Sequence, residues 1–336
     1  MGAAICVVKT MKALRTRIID ALPTTIVQLL VLATLTLVLV PGLAQEDPLE
    51  ARVEPESVLE ESSAVSTVEI IVLGIVEGVT EYLPVSSTGH LILAQRVMGI
   101  GNSNAANAFA ICIQAGAIAA VLLLYFPRVG QITRGFFGQD PSGRRVATCL
   151  VVAFLPAAAI GLCLDDWIES YLFGVKPIVA AWFVGGLLIL FIVRWQQSHP
   201  PQASSCIESM TWKMALVVGL AQSLALWPGT SRSMTTILGG VLVGLSLPAA
   251  VEFSFLLGMI TLGAATAYKG LEHGPIMVET YGWLNIAVGF VTAAISAAVA
   301  VKWMVHYLNR HGLAIFGYYR VLLAVVVGVL ILNGVL

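Results

Sequence analysis

Hydrophobic residues along this chain are grouped into long apolar blocks, separated by short connections that carry most of the charge. A helix needs about 20 residues, most of them apolar, to cross the hydrocarbon core of a bilayer. The blocks have about this length or more, and they cover residues 70–97, 107–126, 146–164, 177–194, 211–245, 249–268, 283–305 and 313–335. The pattern therefore predicts an all-α integral membrane protein.

The composition agrees with this prediction and excludes several classes of protein. Of the 336 residues, 58% are hydrophobic and only 11% are charged, whereas a soluble domain has about 25% charged residues. The formal net charge of -1 provides no basic field that attracts a polyanion. We therefore exclude a disordered chain, a nucleic-acid-binding protein and a typical cytosolic enzyme. The five cysteines are scattered without a CxxC spacing, which argues against a disulfide framework or a zinc site.

The N-terminal region has the charge pattern of a targeting segment. Basic residues precede a short apolar run, which is followed by small residues. This order predicts a signal peptide over residues 1–44, with cleavage after Ala44, and an uncleaved N-terminal anchor is the alternative. Residues 45–67 are strongly acidic, which predicts a disordered, solvated linker outside the membrane. Residues 68–336 then form the polytopic membrane domain.

The distribution of arginine predicts which connections lie in the cytoplasm. The connection 127–145 holds four arginines and one aspartate, which predicts a cytoplasmic position. The acidic connection 165–176 is predicted to lie outside. When this alternation is followed along the chain, both ends of block 70–97 lie outside and both ends of block 211–245 lie in the cytoplasm. These two blocks are therefore not expected to cross the membrane.

Both of these blocks are interrupted near the middle by residues that break helices. One break contains Pro84, and the other contains Pro228 followed by Gly229. Proline removes a backbone donor and glycine weakens a helix, so each block is predicted to form a re-entrant helical hairpin. With the two prolines in register, Ser87 lies opposite Ser231. The predicted fold is an inverted-topology repeat with six transmembrane helices and two re-entrant helical hairpins.

Ionisable and hydroxyl residues are concentrated around these two breaks. Glu77 and Glu81 are four residues apart and share one face of a helix, and Arg232 lies in the other block. Ionisable residues in the membrane are costly and mark functional sites. The hydroxyl residues after each break are suited to cap the restarting helices. Two helix N-termini, a group of hydroxyls and an arginine also form an anion site, so we expect a phosphate or diphosphate ligand.

Two segments of the sequence resemble the motifs of a known family. Residues 77–90, EGVTEYLPVSSTGH, and residues 228–236, PGTSRSMTT, closely resemble the undecaprenyl-diphosphatases of the bacitracin-resistance (BacA/UppP) family. The similarity extends over about residues 68–336 and leaves out residues 1–67. It implies a membrane phosphatase domain that hydrolyses undecaprenyl diphosphate to undecaprenyl phosphate. That reaction recycles the lipid carrier for peptidoglycan synthesis and confers resistance to bacitracin.

The resemblance also implies roles for individual residues. Glu77 and Glu81 match carboxylates that hold a divalent cation, Mg²⁺ or Ca²⁺. The residues that match catalytic positions are Glu81, Ser87, His90 and Arg232, and those that match phosphate-binding positions are Ser86, Thr88, Ser231, Arg232, Ser233 and Thr236. Two routes remain open. Either Ser87 attacks phosphorus while His90 or Glu81 accepts its proton, or water attacks and Ser87 positions it.

The resemblance further implies a location and a set of partners. The protein is expected in the bacterial inner membrane, with its active site open to the extracytoplasmic side. Its expected partners are undecaprenyl diphosphate, membrane lipids and a second copy in a homodimer, with no nucleic acid. A polyprenyl-phosphate transporter or flippase is the alternative function, because inverted repeats and broken helices are typical of transporters. The serine, the histidine and the paired glutamates favour hydrolysis, because binding alone does not require so many proton-transfer groups.

Overall fold

The computed structural model describes residues 65–100, 104–172, 174–198 and 206–335. The predicted segment 1–44 and residues 45–64 of the predicted linker lie outside these ranges. Among the described residues the chain is helical and contains no β-strand. Two 3₁₀ helices cover Ile207–Ser209 and Leu224–Leu226, and the α-helices in chain order are α1 (Thr67–Thr80), α2 (Ser87–Val97), α3 (Asn104–Leu124), α4 (Phe126–Phe136), α5 (Pro141–Leu172), α6 (Val175–Ser198), α7 (Trp212–Ser223), α8 (Arg232–Leu242), α9 (Leu247–His311) and α10 (Ala314–Leu332).

Several of these helices have the length and composition of membrane spans. In the part of the chain that the structure describes, four helices are long and apolar enough to cross a bilayer, and the bent pair Cys112–Leu124 and Phe126–Phe136 adds a fifth. Large apolar side chains remain exposed on these helices, as at Phe191, Ile295 and Leu322. Lipid is the environment that covers so much apolar surface. The prediction of an all-α, multi-pass membrane protein is confirmed.

The longest helix, α9, continues through residues that the hydropathy pattern leaves between two blocks. It contains 65 residues and has one non-helical residue, Gly282, with φ of 71° and ψ of 154°. The polar stretch between the apolar blocks 249–268 and 283–305 is therefore helical as far as Tyr281. Hydropathy marks the part of a helix that lies in hydrocarbon, whereas helical hydrogen bonding continues beyond it. The chain consequently has two arms here, 247–281 and 283–311.

Polar contacts near the ends of helices define two ends of the first arm of α9. Arg128 in α4 forms ion pairs with Glu208 at 2.7 Å and with Glu252 near the start of α9 at 2.6 Å. Thr67, the first residue of α1, donates to the side chain of Asn285 at 3.3 Å, just after the break in α9. The first arm of α9 runs from one contact to the other, a rise of roughly 45 Å. The starts of α1 and α7 therefore lie near opposite ends of this arm.

Glycines allow α1 and α7 to pack closely against long helices. A Cβ atom on Gly78 of α1 would lie 2.3 Å from the carbonyl oxygen of Ala293 in α9. A Cβ atom on Gly219 of α7 would lie 2.5 Å from the carbonyl oxygen of Ala153 in α5. Contacts between small residues of this kind hold transmembrane helices together. They fix the positions of both helices that lead into the breaks.

The two broken helix pairs have matching backbone geometry. Helices α2 and α8 both contain 11 residues, and Ser86 and Ser231, which precede them, both have φ of 75°. Gly99 and Gly244, beyond the two helices, also have positive φ. The structural register therefore pairs Ser86 with Ser231, and the expected pairing of Ser87 with Ser231 is wrong by one residue. In this register Pro84 lies opposite Gly229, so the two prolines occupy positions one residue apart within the breaks.

Candidate active site

Two helix N-termini, those of α2 and α8, lie at the breaks. Their N-cap residues, Ser86 and Ser231, both have positive φ, a sparsely populated conformation that costs about 1–3 kcal/mol in a residue other than glycine. The hydroxyl of Ser231 accepts a hydrogen bond from the backbone N–H of Met234 at 3.3 Å. The side chain of Ser86 makes no such capping bond. The N-terminus of α2 therefore keeps backbone N–H groups available to an anion.

The two breaks contact each other directly and through one buried arginine. The Ser233 hydroxyl donates to the carbonyl oxygen of Leu83 at 2.8 Å. Arg320 of α10, which has no exposed surface, donates to the carbonyl oxygens of Pro84 at 3.4 Å and Gly229 at 2.9 Å. Sequence reasoning did not select Arg320 as a site residue. The sequence did show an arginine inside an apolar block. A charged side chain in a membrane segment is energetically costly, and such residues mark functional positions.

A serine, a carboxylate and an arginine form a hydrogen-bonded chain across the breaks. The Ser87 hydroxyl donates to Oε2 of Glu81, and Nη2 of Arg232 donates to Oε1 at 3.0 Å. Nη1 of Arg232 donates to the carbonyl oxygen of Ser254 at 2.9 Å. The guanidinium lies 5.2 Å from the centre of the Tyr82 ring. Both oxygens of the Glu81 carboxylate thus accept a hydrogen bond, Oε1 from Arg232 and Oε2 from a potential nucleophile, Ser87.

Glu77 lies one helical turn before Glu81 and is 1% exposed. Its Oε2 has no hydrogen-bond partner among the described residues. Glu81 is buried as well, and the ion pair of Arg232 is with Glu81 at 3.0 Å. Burial of an unpaired charge is costly. The second negative charge of the two carboxylates therefore needs a proton or a second cation to compensate it.

His90 is buried within the same motif but does not contact Ser87 through either ring nitrogen. Its Nδ1 lies 2.6 Å from the carbonyl oxygen of Ser86, and its Nε2 lies 2.7 Å from the hydroxyl of Tyr319. Of the two residues expected to accept the serine proton, Glu81 is therefore the one in hydrogen-bond contact with it. Sequence reasoning also missed Tyr319, because a tyrosine in a membrane helix carries no distinctive signal.

The hydroxyl residues expected to bind phosphate have different surroundings. Ser231 and Ser233 lie 3.1 Å apart through their oxygens. The Thr236 hydroxyl donates to the carbonyl oxygen of Arg232 at 2.8 Å and lies 2.6 Å from the Ser254 hydroxyl. Thr88 is exposed at the first turn of α2. These contacts fix the second break, and phosphate binding by the hydroxyls stays a prediction.

The fold and the site together define a multi-pass helical membrane protein with a buried serine, two carboxylates and an arginine where two broken helices meet. Residues 70–326 match the family model described as Bacitracin resistance protein BacA, and the chain belongs to this family. The motif resemblance is confirmed.

Curated relatives match most of the chain. The Undecaprenyl-diphosphatase of Sorangium cellulosum is 43% identical over 260 residues, which cover 77% of this chain and 84% of the relative. Undecaprenyl-diphosphatase 2 of Rhodospirillum rubrum is 42% identical over 263 residues, covering 78% of this chain and 94% of the relative. The Undecaprenyl-diphosphatase of Acinetobacter baumannii strain ATCC 17978 is 41% identical over 260 residues, covering 77% and 94% respectively.

Proposed function

We propose that this protein hydrolyses undecaprenyl diphosphate to undecaprenyl phosphate and inorganic phosphate. This reaction recycles the lipid carrier for peptidoglycan synthesis and confers resistance to bacitracin. The names of the curated relatives support this substrate. The structural observation that carries the proposal is the chain of Ser87, Glu81 and Arg232 at the junction of two helix N-termini. It combines a nucleophile, a base and an anion-binding group in one buried place.

The terminal phosphate is bound between α2 and the guanidinium of Arg232. The N–H groups at the start of α2 provide donors, since Ser86 does not cap them with its side chain. Nε of Arg232 and the hydroxyl of Tyr82 are buried and have no hydrogen-bond partner among the described residues. A guanidinium binds two phosphate oxygens through parallel hydrogen bonds. These donors stabilise the negative charge that moves during phosphoryl transfer.

Glu81 serves as the base. In one route it accepts the proton of Ser87 while the serine oxygen bonds to the terminal phosphorus, the anhydride bond breaks and undecaprenyl phosphate leaves. Water then hydrolyses the phosphoserine and releases inorganic phosphate. In the other route water bonds to phosphorus directly and Ser87 orients it. The hydrogen bond from Ser87 to Glu81 serves both routes.

Glu77 and Glu81 are suited to hold a divalent cation together with the substrate. Glu77 has an unpartnered carboxylate oxygen, and hard oxygen ligands are those that Mg²⁺ and Ca²⁺ prefer. Among the described residues no group of three or more His, Cys, Asp or Glu side chains forms a metal site, and a Mg²⁺ ion held by these two carboxylates would take its remaining ligands from substrate phosphate and water. When bound, the cation neutralises phosphate charge beside the two carboxylates.

We further propose the inner-membrane topology with six crossings and two re-entrant hairpins. Four apolar helices, the bent pair as a fifth span and the division of α9 at Gly282 into two arms support six crossings. The contacts of Arg128 and Thr67 at opposite ends of the first arm of α9 support hairpins that enter from opposite faces. The four arginines of residues 127–145 orient that end to the cytoplasm. As the family resemblance implies, we propose that the site opens to the extracytoplasmic side.

Phosphate release from undecaprenyl diphosphate by the purified protein tests the function. We expect release with Mg²⁺ or Ca²⁺ and a loss of at least about tenfold in excess EDTA. Glu77→Gln is expected to raise the Mg²⁺ concentration for half-maximal rate by about tenfold or more, with recovery at high Mg²⁺. Absence of phosphate release with either cation, or transbilayer movement of the lipid without release, would overturn hydrolysis. Full activity of the wild-type protein and of Glu77→Gln in EDTA would overturn the cation and leave hydrolysis standing, whereas full activity of Glu81→Gln would also overturn Glu81 as the base.

A change at Gly258 tests the position of Arg232 without altering a charged residue. A Cβ atom on Gly258 would lie 2.2 Å from Nη1 of Arg232, so Gly258→Ala displaces the guanidinium from Glu81. We expect kcat to fall about tenfold, equivalent to about 1.4 kcal/mol. Gly263→Ala on the same helix is the matched control, because a Cβ atom there has no neighbour within 4 Å. Equal rates for the two variants would contradict the role of this contact.

A further inference from the structure

The contacts of His90 determine which of its nitrogens carries hydrogen. A carbonyl oxygen only accepts hydrogen bonds, so Nδ1 of His90, 2.6 Å from the carbonyl oxygen of Ser86, is the protonated nitrogen. His90 is 3% exposed, and burial favours the uncharged ring, in which the other nitrogen is then an acceptor. Tyr319 therefore donates its hydroxyl hydrogen to Nε2, 2.7 Å away. Both nitrogens of the neutral ring are engaged, and neither is directed at Ser87.

The packing around His90 holds this arrangement in place. The rings of His90 and Tyr319 are stacked, with centres 5.8 Å apart and planes 8° apart. Trp182 lies against another side of the imidazole, with ring centres 5.3 Å apart. The next residue after Tyr319 is Arg320, which binds the carbonyl oxygen of Pro84. The same turn of α10 thus contacts both the first break and the histidine that follows it.

Ser86 is the residue that needs such support. Its φ of 75° is a strained conformation, which persists only where the surrounding structure fixes it. The imidazole hydrogen-bonds the carbonyl oxygen of this residue, and the conformation of Ser86 sets the direction in which α2 begins. Ser87, the first residue of α2, is directed to Glu81 from there.

We propose that Tyr319 is a positioning residue of the phosphatase site. Its hydroxyl holds neutral His90 against the carbonyl oxygen of Ser86 and so fixes the N-terminus of α2, with the serine proton directed to Glu81. The effect of Tyr319 on catalysis passes through His90. This inference rests on the proposed function and adds to it a residue on α10, outside both motifs.

Tyr319→Phe removes the hydroxyl and keeps the stacked ring. We expect kcat to fall about tenfold, with KM nearly unchanged, because substrate contacts are retained. Tyr318→Phe is the matched control, since Tyr318 is 65% exposed, and its kcat is expected to equal that of the wild type. In a His90→Ala background, Tyr319→Phe is expected to cause no further loss. Wild-type kcat in Tyr319→Phe, or an equal loss in both backgrounds, would overturn the proposal.

The hydrogen bond itself is measurable without activity. Nitrogen-15 NMR of histidine-labelled protein, with the His90 signals identified by their loss in His90→Gln, reports protonation and hydrogen bonding at each ring nitrogen. We expect hydrogen on Nδ1 and a shift of the Nε2 signal in Tyr319→Phe but not in Tyr318→Phe. An unchanged Nε2 signal in Tyr319→Phe would overturn the inference. Failure of the wild-type protein to release phosphate would instead overturn the proposed function, and the NMR result would still decide the contact.

Discussion

Replacing Arg232 with lysine is expected to lower kcat for phosphate release by about 100-fold, which corresponds to about 3 kcal/mol of transition-state stabilisation. Lysine keeps the charge but lacks the planar fork of donors. In the structure that fork reaches Glu81 and the carbonyl oxygen of Ser254 at the same time. A compact ammonium group cannot hold both and also bind two phosphate oxygens. Because the lost interactions strengthen in the transition state, kcat is expected to change more than KM.

Arg128→Lys is the matched control, because it makes the same arginine-to-lysine change outside the proposed active site. Arg128 binds Glu208 and Glu252, and its side chain is 20% exposed. Ion pairs with access to solvent contribute about 0–1 kcal/mol, and no proposed site residue touches this one, so kcat is expected to stay within about twofold of the wild type. High Mg²⁺ is expected to restore Glu77→Gln and to leave Arg232→Lys impaired. An Arg232→Lys rate close to that of Arg128→Lys would show that the fork has no catalytic role.

The features that the sequence predicted well are those set by the free-energy cost of placing polar groups in the membrane. Long apolar blocks predict spanning helices because exposed backbone is not tolerated in lipid. Ionisable residues in the membrane mark functional sites, so the hydroxyls and Arg232 of two separate apolar blocks were expected to form one anion site. The structure brings Ser87, Glu81 and Arg232 together in this way. The family was also predictable, because residues 77–90 and 228–236 closely resemble its motifs.

What the sequence did not predict depends on helix rotation and local turn geometry. Tyr318 and Tyr319 are neighbours of the same type, yet one is 65% exposed and the other contacts His90. Tyrosine is common at membrane interfaces, so its presence does not reveal which one faces the site. The sequence also left open whether Glu81 or His90 accepts the proton of Ser87, because that depends on which way the Ser87 side chain is directed. Ser86 at positive φ sets the rotation of α2, and this detail is invisible in the order of residues.

Ser87→Ala is expected to lower kcat by at least about 1,000-fold, which corresponds to about 4 kcal/mol. The Ser87 hydroxyl is buried and donates to Glu81, which is the arrangement of an activated nucleophile and its base. Alanine removes the attacking oxygen and leaves the Glu81 carboxylate without a proton to accept. Rapid acid quenching of the wild-type reaction with substrate labelled in the terminal phosphate is expected to trap label on Ser87.

Ser296→Ala is the matched control for the loss of a serine hydroxyl within the membrane domain. The Ser296 hydroxyl donates to the carbonyl oxygens of Thr292 at 2.7 Å within α9 and of Gly74 at 3.3 Å in α1. Neither is a proposed site residue, so loss of the hydroxyl is expected to leave kcat within about twofold of the wild type. A low rate for Ser87→Ala together with label on Ser87 identifies the serine as the nucleophile. If Ser87→Ala instead retains a rate within about tenfold of the wild type and no label is trapped, water attacks phosphorus directly. Glu81 is then the base for that water, and Ser87 only orients it.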